Sequence, residues 1–133
     1  MNRGIKLAAT SGAGAALLLA LAAAEQPAAL AKTSAGLWEI AGQPGKGAEK
    51  LCLADLAMLA QHEHRAASCT RVVIRDLPSV TEIHYTCTGG GFGRTKMTLI
   101  TPRSLRIETQ GIASNFPFNY VLQARRLGDC PAH

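Results

Sequence analysis

Period-two alternation dominates the second half of the chain. Ile83, Tyr85 and Cys87 alternate with Glu82, His84 and Thr86. Thr95, Met97 and Leu99 alternate with Arg94, Lys96 and Thr98, and Leu105 and Ile107 alternate with Arg106 and Glu108. Phe118, Tyr120, Leu122 and Ala124 keep the same rhythm, with Val121 interrupting the polar side. This spacing sets one face of each strand against a core and the other in water. Upstream, Val72 and Ile74 alternate with Arg71, Val73 and Arg75, which predicts a further strand with Val72 and Ile74 turned inward. Gly36 to Ile40, carrying Trp38, and the short stretch Glu49 to Cys52 read as two more. Leu53, Leu56, Ala57 and Ala60 recur at helical spacing, predicting one short helix from about Ala54 to Gln61 with Asp55 in its first turn.

Pro- and Gly-bearing turns separate these segments, at Gln43 to Gly47, Asp76 to Ser79 and Thr101 to Ser104, and the glycine run Gly89 to Gly93 forms a looser connection. About seven short antiparallel strands in chain order predict a mainly β domain. The expected architecture is a meander curled into a half-barrel or barrel, with one short helix.

The first 31 residues follow another rule. Arg3 and Lys6 precede an apolar or small run from Leu7 to Ala24, and small-x-small sites end at Ala24 and Ala31. That order is a secretory signal peptide. Thr10, Ser11, Gly12 and Gly14 dilute the run below what a membrane-spanning helix needs. Pro27 ends the apolar helix just before the second site, which favours cleavage after Ala31. The expected domains are a signal peptide, 1–31, and a single disulfide-stapled β domain, 32–133, with the membrane crossed only by the signal peptide. The mature part then holds 12 basic and 8 acidic residues, a mild positive excess. This is not the dense basic stripe of a nucleic-acid binder.

Four cysteines, Cys52, Cys69, Cys87 and Cys130, lie in the mature part. An even count in a small exported domain predicts two disulfides. Their spacing lacks the paired ligands of a zinc site. Closing the last strand on the first brings Cys52 toward Cys130, and the hairpin brings Cys69 toward Cys87. Aligning Val72 with Tyr85, however, puts Cys69 on the face away from Cys87. Pairing Cys52 with Cys69 and Cys87 with Cys130 is the alternative.

Candidate chemistry is sparse. His62-Glu63-His64, with His84, is the one cluster with metal-ligand character. Two residues apart on a helix, His62 and His64 diverge, so a solvated helix end is the simpler expectation. Arg94, Lys96 and Arg106 share an outward face suited to an acidic surface. Trp38, Phe116, Phe118 and Tyr120 either fill the core or line a pocket. Gly89 to Thr95 lacks the Lys and the following helix of a phosphate loop. No nucleophile elbow or carboxylate pair is recognisable, so no catalytic residue is assigned.

Gly36-Leu37-Trp38-Glu39, Leu51-Cys52-Leu53, two cysteines bracketing a hairpin and Arg126-Leu127-Gly128-Asp129-Cys130 occur in this order. In this the chain resembles the DUF3617 family of small exported bacterial proteins, over about Gly36 to Cys130. The resemblance implies a periplasmic or cell-envelope setting in Gram-negative bacteria and carries no activity, ligand or catalytic residue. The chain departs from it at Gly89-Gly90-Gly91, which replaces a longer Thr- and Met-rich stretch. The expectation is a periplasmic or secreted, non-catalytic domain without a cofactor. Its partner would be an envelope lipid, polysaccharide or protein. The alternative is a small metal-dependent enzyme using the histidines.

Overall fold

The computed structural model describes residue 9, residues 12–17 and residues 26–132. The basic start of the expected signal peptide, the expected cleavage site ending at Ala24 and the terminal His133 lie outside the described residues. The fold is one seven-stranded antiparallel sheet: β1 (Gly36–Ala41), β2 (Glu49–Leu53), β3 (Cys69–Asp76), β4 (Val80–Cys87), β5 (Phe92–Thr101), β6 (Ser104–Ala113) and β7 (Phe116–Gly128). Strands β3 to β7 form a meander, and the β1–β2 hairpin joins it through β1 against β7. The spatial order β2-β1-β7-β6-β5-β4-β3 leaves β2 and β3 as edges, so the sheet does not close into a barrel.

The sheet curls around a nine-residue 3-10 helix, Leu56–His64. Both edges reach it: Glu49 of β2 is paired with Arg65 at its C-terminal end, and Arg71 of β3 bonds Gln61 Oε1 at 2.7 Å. Trp38, Ile40, Ile83, Met97, Leu105, Ile107 and Leu122 from the concave face pack with Leu56 and Leu59 of the helix. Inside this core the Thr95 hydroxyl donates to the Ala60 carbonyl at 2.6 Å and lies 2.8 Å from the Thr109 hydroxyl.

The helix differs from its expected form. Asp55 is its N-cap, accepting from the Ala57 N–H at 2.9 Å, rather than a first-turn residue. The helix also runs three residues past Gln61, where the backbone kinks at φ −107° and ψ 34°. Gln61 is buried at this kink, and its amide donates to the His64 and Ala67 carbonyls at 3.3 and 3.2 Å. Those bonds satisfy backbone carbonyls that a helix end leaves free, and they draw His62 to His64 into the fold.

The register of β3 is a second difference. Arg71 lies opposite Tyr85 and Val73 opposite Ile83, on the buried face, while Val72 stands opposite His84 on the outer face and is 56% exposed. The inward place of Arg71 is stabilised by its bonds to the helix: Gln61, Met58 Sδ at 2.9 Å and Asp55 at 3.3 Å. A bulge between Val73 and Arg75 takes up Ile74. With this register Cys69 faces Cys87 directly, Cα to Cα 3.9 Å, and the two are bonded. Cys52 is bonded to Cys130, Cα to Cα 5.6 Å, tying β2 to the end of β7. Two such bonds belong to an oxidising environment.

Two further elements carried no strong sequence signal. Ser114 and Asn115, both with positive φ (50° and 67°), join β6 to β7 in a two-residue turn. Ala28–Ala31 forms a helical turn laid against β4 and β5, with Leu30 in the core. Among the described residues, no helix is long and apolar enough to cross a membrane.

The two staples close loops of different length, 78 and 18 residues in separation. The chain-entropy model gives about 4.5 kcal/mol for the longer and about 3 kcal/mol for the shorter. Replacing Cys52 and Cys130 together by Ser should therefore lower the unfolding free energy more than replacing Cys69 and Cys87. Urea denaturation of the two double variants measures the difference; an equal loss would mean that the longer link does not restrain the unfolded chain.

Candidate functional site

One cross-sheet row sets the geometry at the end of the half-barrel. Tyr85, Gly93, Gly111 and Phe118 are successive partners across β4, β5, β6 and β7. A Cβ on Gly93 would stand 2.6 Å from the Tyr85 ring, so the ring lies flat across the missing side chain. Gly111 likewise lies under Phe118. The two aromatic rings leave a slot that the last residue of the 3-10 helix enters. His64 sits edge-on to Tyr85 at 5.5 Å and tilted against Phe118 at 5.8 Å, and Phe118 in turn meets Tyr120.

The polar atoms of this slot are nearly all paired. His64 Nδ1 lies 2.9 Å from the Tyr85 hydroxyl. The Tyr120 hydroxyl donates to Glu63 at 2.6 Å, and Gln43 Nε2 donates to the same carboxylate at 3.3 Å. Gln43 Oε1 accepts from His62 Nε2 at 3.2 Å, and Glu49 stands 3.5 Å from that nitrogen. One atom is left over: His64 Nε2 is buried and has no hydrogen-bond partner. It faces Gly91, where a Cβ would come within 2.6 Å of it and where φ is +92°. Glycine is therefore required there on two grounds.

Two recesses flank the His62-Glu63-His64 segment. One, of about 340 Å³, is lined by Glu63, His64, Gly89 to Gly91 and the β6–β7 turn. The other, of about 360 Å³, is lined by Gln43, Lys46 and residues 62–67.

Burial sets the protonation of the cluster. It raises both tyrosines, Tyr120 further through its bond to Glu63, so both hydroxyls stay protonated. The Arg65 hydrogen bond holds Glu49 below its ordinary value. His62 is lowered: the loss of solvent around its ring outweighs the attraction of Glu49, whose carboxylate is engaged by Arg65. Tyrosines held protonated cannot act as bases, and the four cysteines are oxidised.

The histidines do not converge. His62 turns to Gln43 and Glu49, His64 to Tyr85 and Gly91, and His84 lies on the outer sheet face. Among the described residues no three His, Cys, Asp or Glu side chains are placed to hold a metal ion. Nor is the segment a solvated helix end, since His62 is buried.

Arg94, Lys96 and Arg106 do share the outer face, but each meets a carboxylate. Glu82 pairs with Arg94 at 3.2 Å and with Arg75 at 3.7 Å, and Glu108 pairs with Arg106 at 3.2 Å and Lys96 at 3.8 Å. Four cations around two carboxylates make a mixed network instead of a free basic patch. An open groove of about 550 Å³ runs beside it, lined by His84, Phe92, Arg94, Ile112, Pro117 and Asn119 among others. Of the four aromatics, Trp38 is in the core, Tyr120 and Phe118 border the slot, and Phe116 is exposed at the turn.

Gln43, Tyr85 and Gly91 enter the site from three separate segments with no linking motif. The glycine run that holds Gly91 reads in the sequence as a loose connection. No family model, curated protein or solved structure matches the chain.

His62 provides a pH test. Its folded pKa lies below the unfolded value of 6.5, so the folded state resists protonation there. The stability it contributes is complete above pH 6.5 and is lost as pH falls through the lowered pKa. The urea midpoint should decline on acidification below pH 6.5, and His62→Gln should flatten that decline. Glu49 adds a second loss only at lower pH, below its ordinary value of 4.5. An unchanged slope in His62→Gln would show that His62 titrates freely.

Proposed function

We propose that the chain is a small exported, non-catalytic binding domain of the bacterial envelope. Its ligand would be a neutral, hydroxyl-rich envelope saccharide held in the recess between Glu63–His64 and the glycine loop. The export reading rests on the leader sequence, the two disulfides and the resemblance to the DUF3617 family. The binding reading rests on one observation: the buried His64 Nε2 without a partner.

An unpaired buried polar atom costs roughly 1–3 kcal/mol, and an occupant that pairs it recovers that free energy. A hydroxyl group suits the position because it both donates and accepts, and so matches either imidazole tautomer. Beside it the Glu63 carboxylate disfavours an anion and accepts from a second hydroxyl. Ile112 and Ala113, which line the same recess, offer an apolar surface to the C–H face of a sugar. Reaching Nε2 requires Gly91 to move aside. A Cβ on Gly89 or Gly90 would touch nothing, so the tip of the loop packs against no neighbour; the bond to be given up is the one from the Cys87 N–H to the Gly91 carbonyl, 2.9 Å. The metal-enzyme alternative has no support in the divergent histidines.

Titrating the histidine-labelled protein with neutral envelope oligosaccharides, and following the His64 ring nitrogens by NMR, tests the reading. Binding should shift Nε2 and leave His84 unmoved. His64→Phe keeps the ring between Tyr85 and Phe118 and removes the nitrogen. It should weaken binding roughly tenfold, the loss expected for one good hydrogen bond, with little net change in stability, since removing the unpaired Nε2 offsets the Tyr85 hydroxyl left without its partner. Unchanged affinity in that variant, or recovery of the exported protein with a bound lipid instead, would overturn the assignment.

A further inference from the structure

The segment just upstream of β1 is built into the domain. Pro27 and Ala29 are buried, and Leu30, 1% exposed, belongs to the same core as Trp38, Ile83 and Met97. The turn is fastened at both ends to the far hairpin. The Ala28 N–H donates to Asp76 Oδ1 at 2.8 Å, and Lys32 Nζ donates to the Pro78 carbonyl at 2.7 Å. Thr33 closes the turn, its hydroxyl and N–H both donating to the Leu30 carbonyl at 2.6 and 3.0 Å. These residues therefore form a strap from the start of β1 across the concave face to the β3–β4 turn.

Cleavage after Ala31 would remove that strap. It would delete Leu30 from a packed core and leave its space open against β4 and β5. It would also strip Asp76 of its backbone partner. A mature N-terminus at Lys32 would lack the Leu30 core contact and the Ala28–Asp76 bond that this fold contains. The other small-x-small site, Ala22-Ala23-Ala24, lies upstream of every strap residue.

We infer that the leader is removed after Ala24, and that the mature protein begins at Glu25 and retains Pro27–Ala31 as a structural strap. This rests on the export reading above. The apolar residues of the strap, which in sequence look like a continuation of the leader, belong to the folded domain. Ala31, the last residue of the second site, is exposed in the fold and serves as a spacer.

The test is to express the full chain in a Gram-negative host, fractionate the cells and measure intact mass. A periplasmic species starting at Glu25 is expected. One starting at Lys32 would overturn the inference while leaving export standing. Unprocessed chain in the membrane or cytoplasm would overturn the export reading itself, and the inference with it. Ala24→Asp should accumulate precursor, whereas Ala31→Asp, at an exposed position, should be processed and folded like the parent; the reverse pattern would overturn the assignment. In the purified mature protein Leu30→Ala should lower the melting temperature by on the order of 10 °C, with Leu30→Met restoring most of it. No shift in Leu30→Ala would show that the strap is dispensable.

Discussion

An open antiparallel sheet has a face that must be covered, and here a 3-10 helix covers it together with the Leu30 turn. A 3-10 helix holds its own carbonyls poorly, so its seat depends on bonds from the sheet. The Thr95 hydroxyl meets the Ala60 carbonyl in the middle of the core. Arg71 clamps the helix from β3, and Gln61, itself bonded by Arg71, ties off the carbonyls at its end. The curvature of the sheet, the register of β3 and the position of His64 follow from this one docking. Moving the helix would strand a buried threonine, a buried glutamine and an inward arginine together, and unsatisfied buried polar groups are costly.

The same docking explains which parts of the fold were legible in the sequence. Strands β4 to β7 alternate apolar and polar residues with little ambiguity, and their inward faces are those the alternation indicates. In β3 the run Val72-Val73-Ile74 is apolar on both sides, so periodicity had nothing to discriminate. The deciding residue was Arg71, which points inward because the helix presents Gln61 and Asp55 to it. A charged residue turned toward a core contradicts the pattern rule unless its partners are known, and they lie in another segment. The one-residue slip also accounts for the apparent conflict over Cys69, which disappears once Arg71 faces Tyr85.

The candidate site was only partly legible for a related reason. His62-Glu63-His64 stands out by composition, yet helical spacing placed it at a solvated end. The kink at Gln61 changes that, and kinks held by a side-chain amide leave no periodic trace. Tyr85 and Tyr120 were correctly expected on inward faces, and both are buried there. Their hydroxyls gain importance only because two glycines, facing each other across β5 and β6, let the row's aromatic rings settle low and admit a polar helix end beside them.

The two ends of the curled sheet therefore differ in kind. Toward the β3–β4 turn the concavity is filled by apolar side chains, Leu30 among them, and is fastened by backbone and lysine hydrogen bonds. Toward the glycine loop it is filled by a hydrogen-bonded polar cluster in which one buried nitrogen has no partner. An apolar plug is satisfied by its own packing and gains nothing from a ligand. A polar cluster short of one partner gains from any occupant that supplies it, provided the covering loop yields. The disulfides reinforce this asymmetry: Cys69–Cys87 pins the strand ends beside the glycine loop, and Cys52–Cys130 pins an edge strand to β7. The glycine loop lies between these fixed strand ends, its Gly91 carbonyl bonded to the Cys87 N–H, so any adjustment that admits an occupant is local to the polar end of the domain.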